Sequence, residues 1–254
     1  MRTIRTVAEL RAHAFEGSVG LVPTMGALHA GHLALIDAAR AECDAVVLSA
    51  FVNPAQFEDA RDLAHYPRDE QRDAAVAADA GVDVLFQPPP EEIYPPGFQT
   101  WVDVDELSRG LEGAARPGHF RGVATVCLKL FLVVAPERAY FGAKDAQQVA
   151  VVKRLVRDLA LPLEIRVVET VRDDDGVAVS SRNALLSPAE RRRARAIPRA
   201  LATRDPERAR SVLEQAGIQP DYVAVADLDG PRLLVAARIG STRLIDNVPL
   251  DGRP

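Results

Sequence analysis

Val19-Gly20-Leu21-Val22-Pro23-Thr24-Met25-Gly26-Ala27-Leu28-His29-Ala30-Gly31-His32 reads as a buried strand, a tight turn and the opening of a helix. The helix is predicted from His32, Leu35, Ile36, Ala39 and Cys43, which fall at i, i+3, i+4, i+7 and i+11 and share one face. A strand, turn and helix start aim backbone N–H groups and the positive end of the helix at an anion, so phosphate chemistry is the first expectation. His29 and His32 stand at that positive end, where neutral rings that donate hydrogen bonds to phosphate oxygens are favoured. Gly31 between them is expected to let a flat ligand approach the backbone. The same four residues also fit two packing histidines at a helix start, and alone they do not separate the readings.

Outward from this stretch, short apolar runs alternate with helical periods, the pattern of βαβ units and a parallel sheet. Ala45-Val46-Val47-Leu48-Ser49-Ala50-Phe51-Val52 is a continuous apolar run suited to a strand buried on both faces. A helix is predicted over about 69–80 and a strand over 82–86. The proline-rich stretch 88–97 is expected to be a stiff loop without regular structure. Val123, Val126, Cys127, Leu130, Phe131 and Val134 hold a helical period with a broad apolar stripe. A strand at 139–141, a helix over about 145–160 and a strand at 163–168 complete the larger domain, set at residues 1–170. Residues 171–254 read as a smaller α/β or α+β domain, with strands expected at 221–226, 232–239 and 242–245.

Bulk properties exclude several classes. A chain of 254 residues, 48% hydrophobic and 26% charged, can bury one large or two modest cores. Neither a membrane-spanning run nor a signal-peptide core is read, so a cytoplasmic protein is expected. A net charge of −5 gives no support for an extended nucleic-acid surface. Cys43 and Cys127 are read as small buried hydrophobes. Asp173-Asp174-Asp175-Gly176 is read as a turn rather than a metal site. The nine arginines between residues 182 and 210 face only three acids, and most are expected to form a solvated helical face.

In open α/β sheets, active sites lie at the carboxyl ends of the strands. Four loops there carry polar residues that packing does not require: Pro23-Thr24-Met25-Gly26 with the paired histidines, Phe51-Val52-Asn53-Pro54-Ala55-Gln56-Phe57, Phe141-Gly142-Ala143-Lys144-Asp145-Ala146-Gln147-Gln148, and Ser180-Ser181-Arg182-Asn183. With these blocks in order, the chain resembles the pantothenate synthetases, the pantoate–β-alanine ligases of the adenylate-forming, nucleotidyltransferase-type superfamily. The resemblance runs over residues 23–183 and resumes at Leu233-Leu234-Val235-Ala236-Ala237-Arg238. It also takes in Tyr66-Pro67-Arg68 and Arg116-Pro117-Gly118-His119-Phe120-Arg121-Gly122-Val123.

The resemblance implies a Rossmann-like parallel-sheet domain followed by a small lid and dimerisation domain. It also implies a two-step reaction: pantoate attacks the α-phosphorus of ATP to give pantoyl adenylate and pyrophosphate, then the β-alanine amine displaces AMP. Catalytic roles fall on His32, as proton donor, and on His29, Lys144 and Arg182. The ATP contacts implied are Met25, Gly26, His29, Gly31, His32, Gly142, Lys144, Asp145, Val171, Val179, Ser180, Ser181 and Arg182. Gln56 and Gln148 match the glutamines that bind pantoate, Gln56 also adjoining β-alanine, with Met25, Phe51 and Asn53 completing the acid site. Magnesium is expected on the ATP phosphates rather than on dedicated protein ligands, and a homodimer is the implied assembly. The chain departs from the family pattern at Ala55, Ala143 and Val179, and the segment between about 203 and 220 is shorter than usual. Two alternatives stay open: another His-x-Gly-His nucleotidyltransferase, and a non-catalytic ATP-binding regulatory relative.

Overall fold

A computed structural model describes residues 1–58, 63–64 and 66–251. Two compact units are present. One comprises Met1–Leu28, His32–Phe141 and Gln147–Val168, and the other His29–Gly31, Gly142–Ala146 and the chain from Glu169 onward.

The first unit is built on a six-stranded sheet of β1 (Arg2–Ile4), β2 (Val19–Thr24), β3 (Ala45–Ala50), β4 (Val84–Phe86), β5 (Arg138–Gly142) and β6 (Glu164–Val168), in the order β1-β4-β3-β2-β5-β6. The pairs β1–β4, β4–β3, β3–β2 and β2–β5 are parallel. Successive strand residues enter different layers, as the period of two requires. Val19, Leu21, Val47, Val84 and Phe86 pack into one core, and Val22, Val46, Leu48 and Leu85 into the other. Both faces are therefore covered, which is why β3 needs no polar alternation. The helices are α1 (Val7–Ala12), α2 (Ala30–Glu42), α3 (Glu70–Asp79), α4 (Pro90–Ile93), α5 (Glu112–Ala115), α6 (His119–Val134) and α7 (Ala146–Asp158).

The helix predicted over 69–80 is α3, with Asp69 as the N-cap, its carboxylate accepting from the Arg72 amide. The stretch 88–97 is not wholly irregular: Pro90 takes the first helical position, where its missing N–H costs nothing, and Ile93 is buried. Strand β1 was not anticipated, because three residues are too few to display a period. Helix α1 carries a legible signal that went unused, the capping box of Thr6 with Glu9. Both cysteines are buried and free. Burial pushes the Cys127 thiol up to about 12, so it stays protonated.

The second unit holds α8 (Pro188–Ala194), α9 (Ala196–Ala202), α10 (Pro206–Gln215) and a three-stranded antiparallel sheet of β7 (Pro220–Asp227), β8 (Pro231–Ile239) and β9 (Thr242–Pro249), with β8 central. Leu233, Val235, Ala237 and Ile239 on one face of β8 share a core with Ile197, Leu201 and Leu213. The four residues 173–176 form the expected turn, with the Gly176 amide donating to the Asp173 carbonyl and Gly176 at φ 82°. Its carboxylates are engaged by arginine: Arg191 reaches Asp173 at 2.6 Å and Asp175 at 2.7 Å. Arg191 is thus half-buried, while Arg192, Arg193, Arg195 and Arg199 are exposed, with Arg195 also 3.3 Å from Asp175.

Candidate active site

In the first unit, the turn after β2 is shaped by backbone amides gathered on side chains. Thr24 Oγ1 donates to the Ser49 carbonyl at 2.7 Å and accepts from the Gly26 amide at 3.1 Å. Asp73 on α3 is 3% exposed, and its two carboxylate oxygens accept from the amides of Ala27 and Leu28, each at 2.8 Å. The turn places Gly26 at φ 78° and Ala27 at φ 50°. A Cβ on Gly26 would lie 2.8 Å from Asp73 Oδ2, so this glycine answers to the carboxylate as well as to the turn. Asp73 was not foreseen; an isolated acid inside a helical stretch carries no spacing signal.

The same unit brings Met25, Asn53 and Gln56 together. Asn53, 1% exposed, accepts from the Ala55 amide at 3.2 Å and donates to Gln56 Oε1 at 3.0 Å and to the Gly122 carbonyl at 3.1 Å. Gln56 Nε2 lies 2.8 Å from Met25 Sδ. His119 Nδ1 is 3.0 Å from the Gln56 carbonyl, and its Nε2 is 3.1 Å from Arg116 Nη1. An arginine only donates, so the ring is the neutral tautomer that accepts at Nε2 and donates from Nδ1. Phe51 is buried nearby in sequence, and Gln148 is half-buried on α7. Its neighbour Gln147 is structural: it accepts from the Glu112 amide and donates to the Leu107 and Gly110 carbonyls. His32 is half-buried in the first turn of α2.

In the second unit, the Gly31 amide donates to His29 Nδ1 at 3.1 Å. The proton of that ring therefore sits on Nε2, a donor of the kind expected at a phosphate site. Gly31 also lies close to that ring: the place a Cβ would take is 3.0 Å from His29 Cε1. Lys144 and Asp145 share the single turn Ala143–Asp145 after Gly142, with Nζ 3.5 Å from Asp145 Oδ1. The Val179 amide donates to the Val171 carbonyl at 2.9 Å, placing these two residues side by side. Ser180 caps the turn Ser181–Leu185, its hydroxyl accepting from the Arg182 amide at 3.3 Å, and Asn183 Nδ2 donates to the Ala178 carbonyl at 2.9 Å.

The family model for pantoate–β-alanine ligases matches residues 2–249. This chain belongs to the pantoate–β-alanine ligase family. It is 50% identical to the pantothenate synthetase of Roseiflexus castenholzii over 277 aligned positions, covering 99% of this chain and 100% of the relative. The crystal structure of pantothenate synthetase from Thermus thermophilus superposes with a TM-score of 0.93 at 48% identity, covering 98% of this chain and 99% of that one. The ligase from Francisella tularensis, solved with a β-γ ATP compound and β-alanine, gives a TM-score of 0.89 at 36% identity, covering 100% and 99%. The parallel sheet and the small antiparallel sheet are thus those of the pantoate–β-alanine ligases, enzymes that use ATP. No helix among the described residues is long and apolar enough to cross a membrane.

Proposed function

We propose that this chain joins pantoate to β-alanine with the cleavage of ATP to AMP and pyrophosphate, through a pantoyl-adenylate intermediate. The observation behind this reading is the full-length match to the ligase family, together with the Francisella relative solved with β-alanine and an ATP compound. Pantoate needs no base for the first step, since a carboxylate is ionised at neutral pH. Its oxygen bonds to the α-phosphorus as pyrophosphate leaves. The β-alanine nitrogen then bonds to the acyl carbon, AMP departs and the amine gives up a proton.

The protein's work is alignment and charge stabilisation. Roles are assigned to His32 as proton donor, to His29 through its Nε2 proton, to Lys144 as a compact phosphate charge, and to Arg182 as a two-pronged donor. Backbone and side-chain contacts to ATP are assigned to Met25, Gly26, Gly31, Gly142, Asp145, Val171, Val179, Ser180 and Ser181. Gln56 and Gln148 take pantoate beside Met25, Phe51 and Asn53, with Gln56 also adjoining β-alanine. The meshed amides of Asn53 and Gln56 support this assignment, because they are held against the Met25 thioether with their sense fixed. Magnesium enters with ATP as its phosphate complex. Asp73 is committed to the turn after β2 through two backbone amides. The same reading gives residues 1–170 the substrate-binding role, residues 171–254 the lid and dimer contacts of a homodimer, and the chain a cytoplasmic place.

The test is pantoate-dependent exchange of labelled pyrophosphate into ATP, followed by addition of β-alanine and detection of AMP and pantothenate. His32→Ala and Lys144→Ala are each expected to slow exchange about 100-fold, as loss of a transition-state donor does, with the melting temperature nearly unchanged. Exchange driven by another acid, or ATP binding without turnover, would overturn the proposal.

A further inference from the structure

Asn247, 4% exposed on β9, is joined at every polar atom of its side chain. Its Oδ1 accepts from Arg232 Nη1 at 2.6 Å. Its Nδ2 donates to two successive carbonyls, Ala143 at 3.0 Å and Lys144 at 2.9 Å. A primary amide has two N–H donors, and both are spent on the turn that carries Lys144. The amide cannot flip without placing its oxygen against two carbonyl oxygens, and Arg232 fixes the same sense from the other end. The residue before it is anchored as firmly: Asp246 receives Arg172 through two bonds, at 2.7 and 3.1 Å, and accepts from the Asn247 amide at 2.8 Å. Lys144 itself is only 17% exposed along its side chain, with its Nζ 3.5 Å from Asp145 Oδ1 on the same turn.

We propose that Asn247 is a positioning residue for Lys144, its carboxamide clamping the Ala143 and Lys144 carbonyls so that the ammonium meets the phosphates of ATP in one orientation. The inference rests on the role given to Lys144 above. It accounts for a strand residue that no motif marks and makes the small sheet a fixed support for the lysine-bearing turn. The position before the lysine is Ala143, which has no polar side chain to share the task.

The experiment compares Asn247→Ala, Asn247→Asp, Lys144→Ala and the double variant Lys144→Ala/Asn247→Ala in pyrophosphate exchange. Asn247→Ala is expected to lower the exchange kcat about tenfold, as loss of one to two hydrogen bonds' worth of placement does, while the KM for pantoate stays unchanged. Asn247→Asp should lose at least as much, since it presents an acceptor to two acceptors. On the Lys144→Ala background, removing Asn247 should cost nothing further, because the group it places is already gone. A purely structural role would instead slow single and double variants by the same factor. That additive loss, or full kcat in Asn247→Ala, overturns the proposal. Full activity in Lys144→Ala alone would strike the assignment of Lys144 and is read without any change at Asn247. Should Asn247→Ala fail to fold by circular dichroism, the isosteric Asn247→Asp takes its place: a loss of kcat that vanishes on the Lys144→Ala background supports the clamp, and an unchanged kcat in Asn247→Asp overturns it.

Discussion

At the residue scale, His29, Gly31 and His32 show how a motif can be legible while its reason is not. Two histidines flanking a glycine at a helix start fit a phosphate site and a packing role alike in the sequence. The sequence did not disclose that the glycine makes room for the His29 ring, which accepts the Gly31 amide and thereby keeps its proton on Nε2. Gly31→Ala would set a methyl group 3.0 Å from His29 Cε1 and force the ring aside. If His29 donates to phosphate as proposed, its displacement by a fraction of an ångström to one ångström costs about 10- to 100-fold in rate. Pyrophosphate exchange by Gly31→Ala is therefore expected to fall by that factor, with little change in melting temperature because the site is half-buried and helical. An exchange rate equal to that of the unaltered enzyme would show that the ring's place is immaterial. Asp73 and Asn247 mark the other limit: each acts through backbone groups remote in the chain, and a single acid or amide has no spacing from which to read it.

At the element scale, the segment 116–123 was recognisable as a block, yet its task is written only in tertiary contacts. The start of α6 grips the single turn Pro54–Gln56: His119 donates to the Gln56 carbonyl at 3.0 Å, and the Gly122 carbonyl accepts from Asn53 at 3.1 Å. The approach is so close that a Cβ on Gly122 would lie 2.4 Å from the Ala55 carbonyl oxygen and 2.7 Å from the Gln56 nitrogen. Backbone against backbone has no easy relief. Gly122→Ala is expected to destabilise the protein by about 2 kcal/mol, within the range of overpacking, measured by denaturant unfolding. His119→Ala separates recognition from packing: on the proposed assignment of Gln56 to pantoate, the turn loses one donor and the KM for pantoate should rise about fivefold, as loss of a modest hydrogen bond allows, while the KM for ATP holds. Equal changes in both constants would place the fault in the fold rather than in the acid site. The helices and strands of this unit were largely legible because their apolar periods run over two or more turns. The short pieces were not, since β1 and α4 exist through their neighbours and not through a pattern of their own.

At the scale of the whole molecule, alternation of strand and helix was enough to place the parallel sheet, because a period of two feeding two layers leaves continuous apolar runs such as β3. The second unit was legible as a change of texture, from long apolar runs to arginine-rich helices and an antiparallel sheet. Carboxylates in both units set how the molecule answers acid. Asp175 is held down to about 2, first by its hydrogen bonds from Arg191 and further by the Val177 amide and Arg195. Glu190 and Asp44 are lowered by bonds from Ser187 and Ser18, and Glu9 by its bond from Thr6. A carboxylate whose folded value is depressed binds protons more readily when unfolded, so its stabilisation is present above the ordinary carboxylate range and disappears as pH falls through the folded value. All four groups act in this direction. The melting temperature is thus expected to be level near neutrality and to decline from about pH 4 downward. Asp175→Asn isolates the largest of these contributions: its melting temperature should lie below that of the unaltered protein at pH 7, and the gap should close as the pH approaches 2, where Asp175 itself takes up a proton and Arg191 loses its charged partner. A gap that stays constant between pH 7 and pH 2 would mean that the turn at 173–176 is held by its backbone and the ion pair with Arg191 adds nothing.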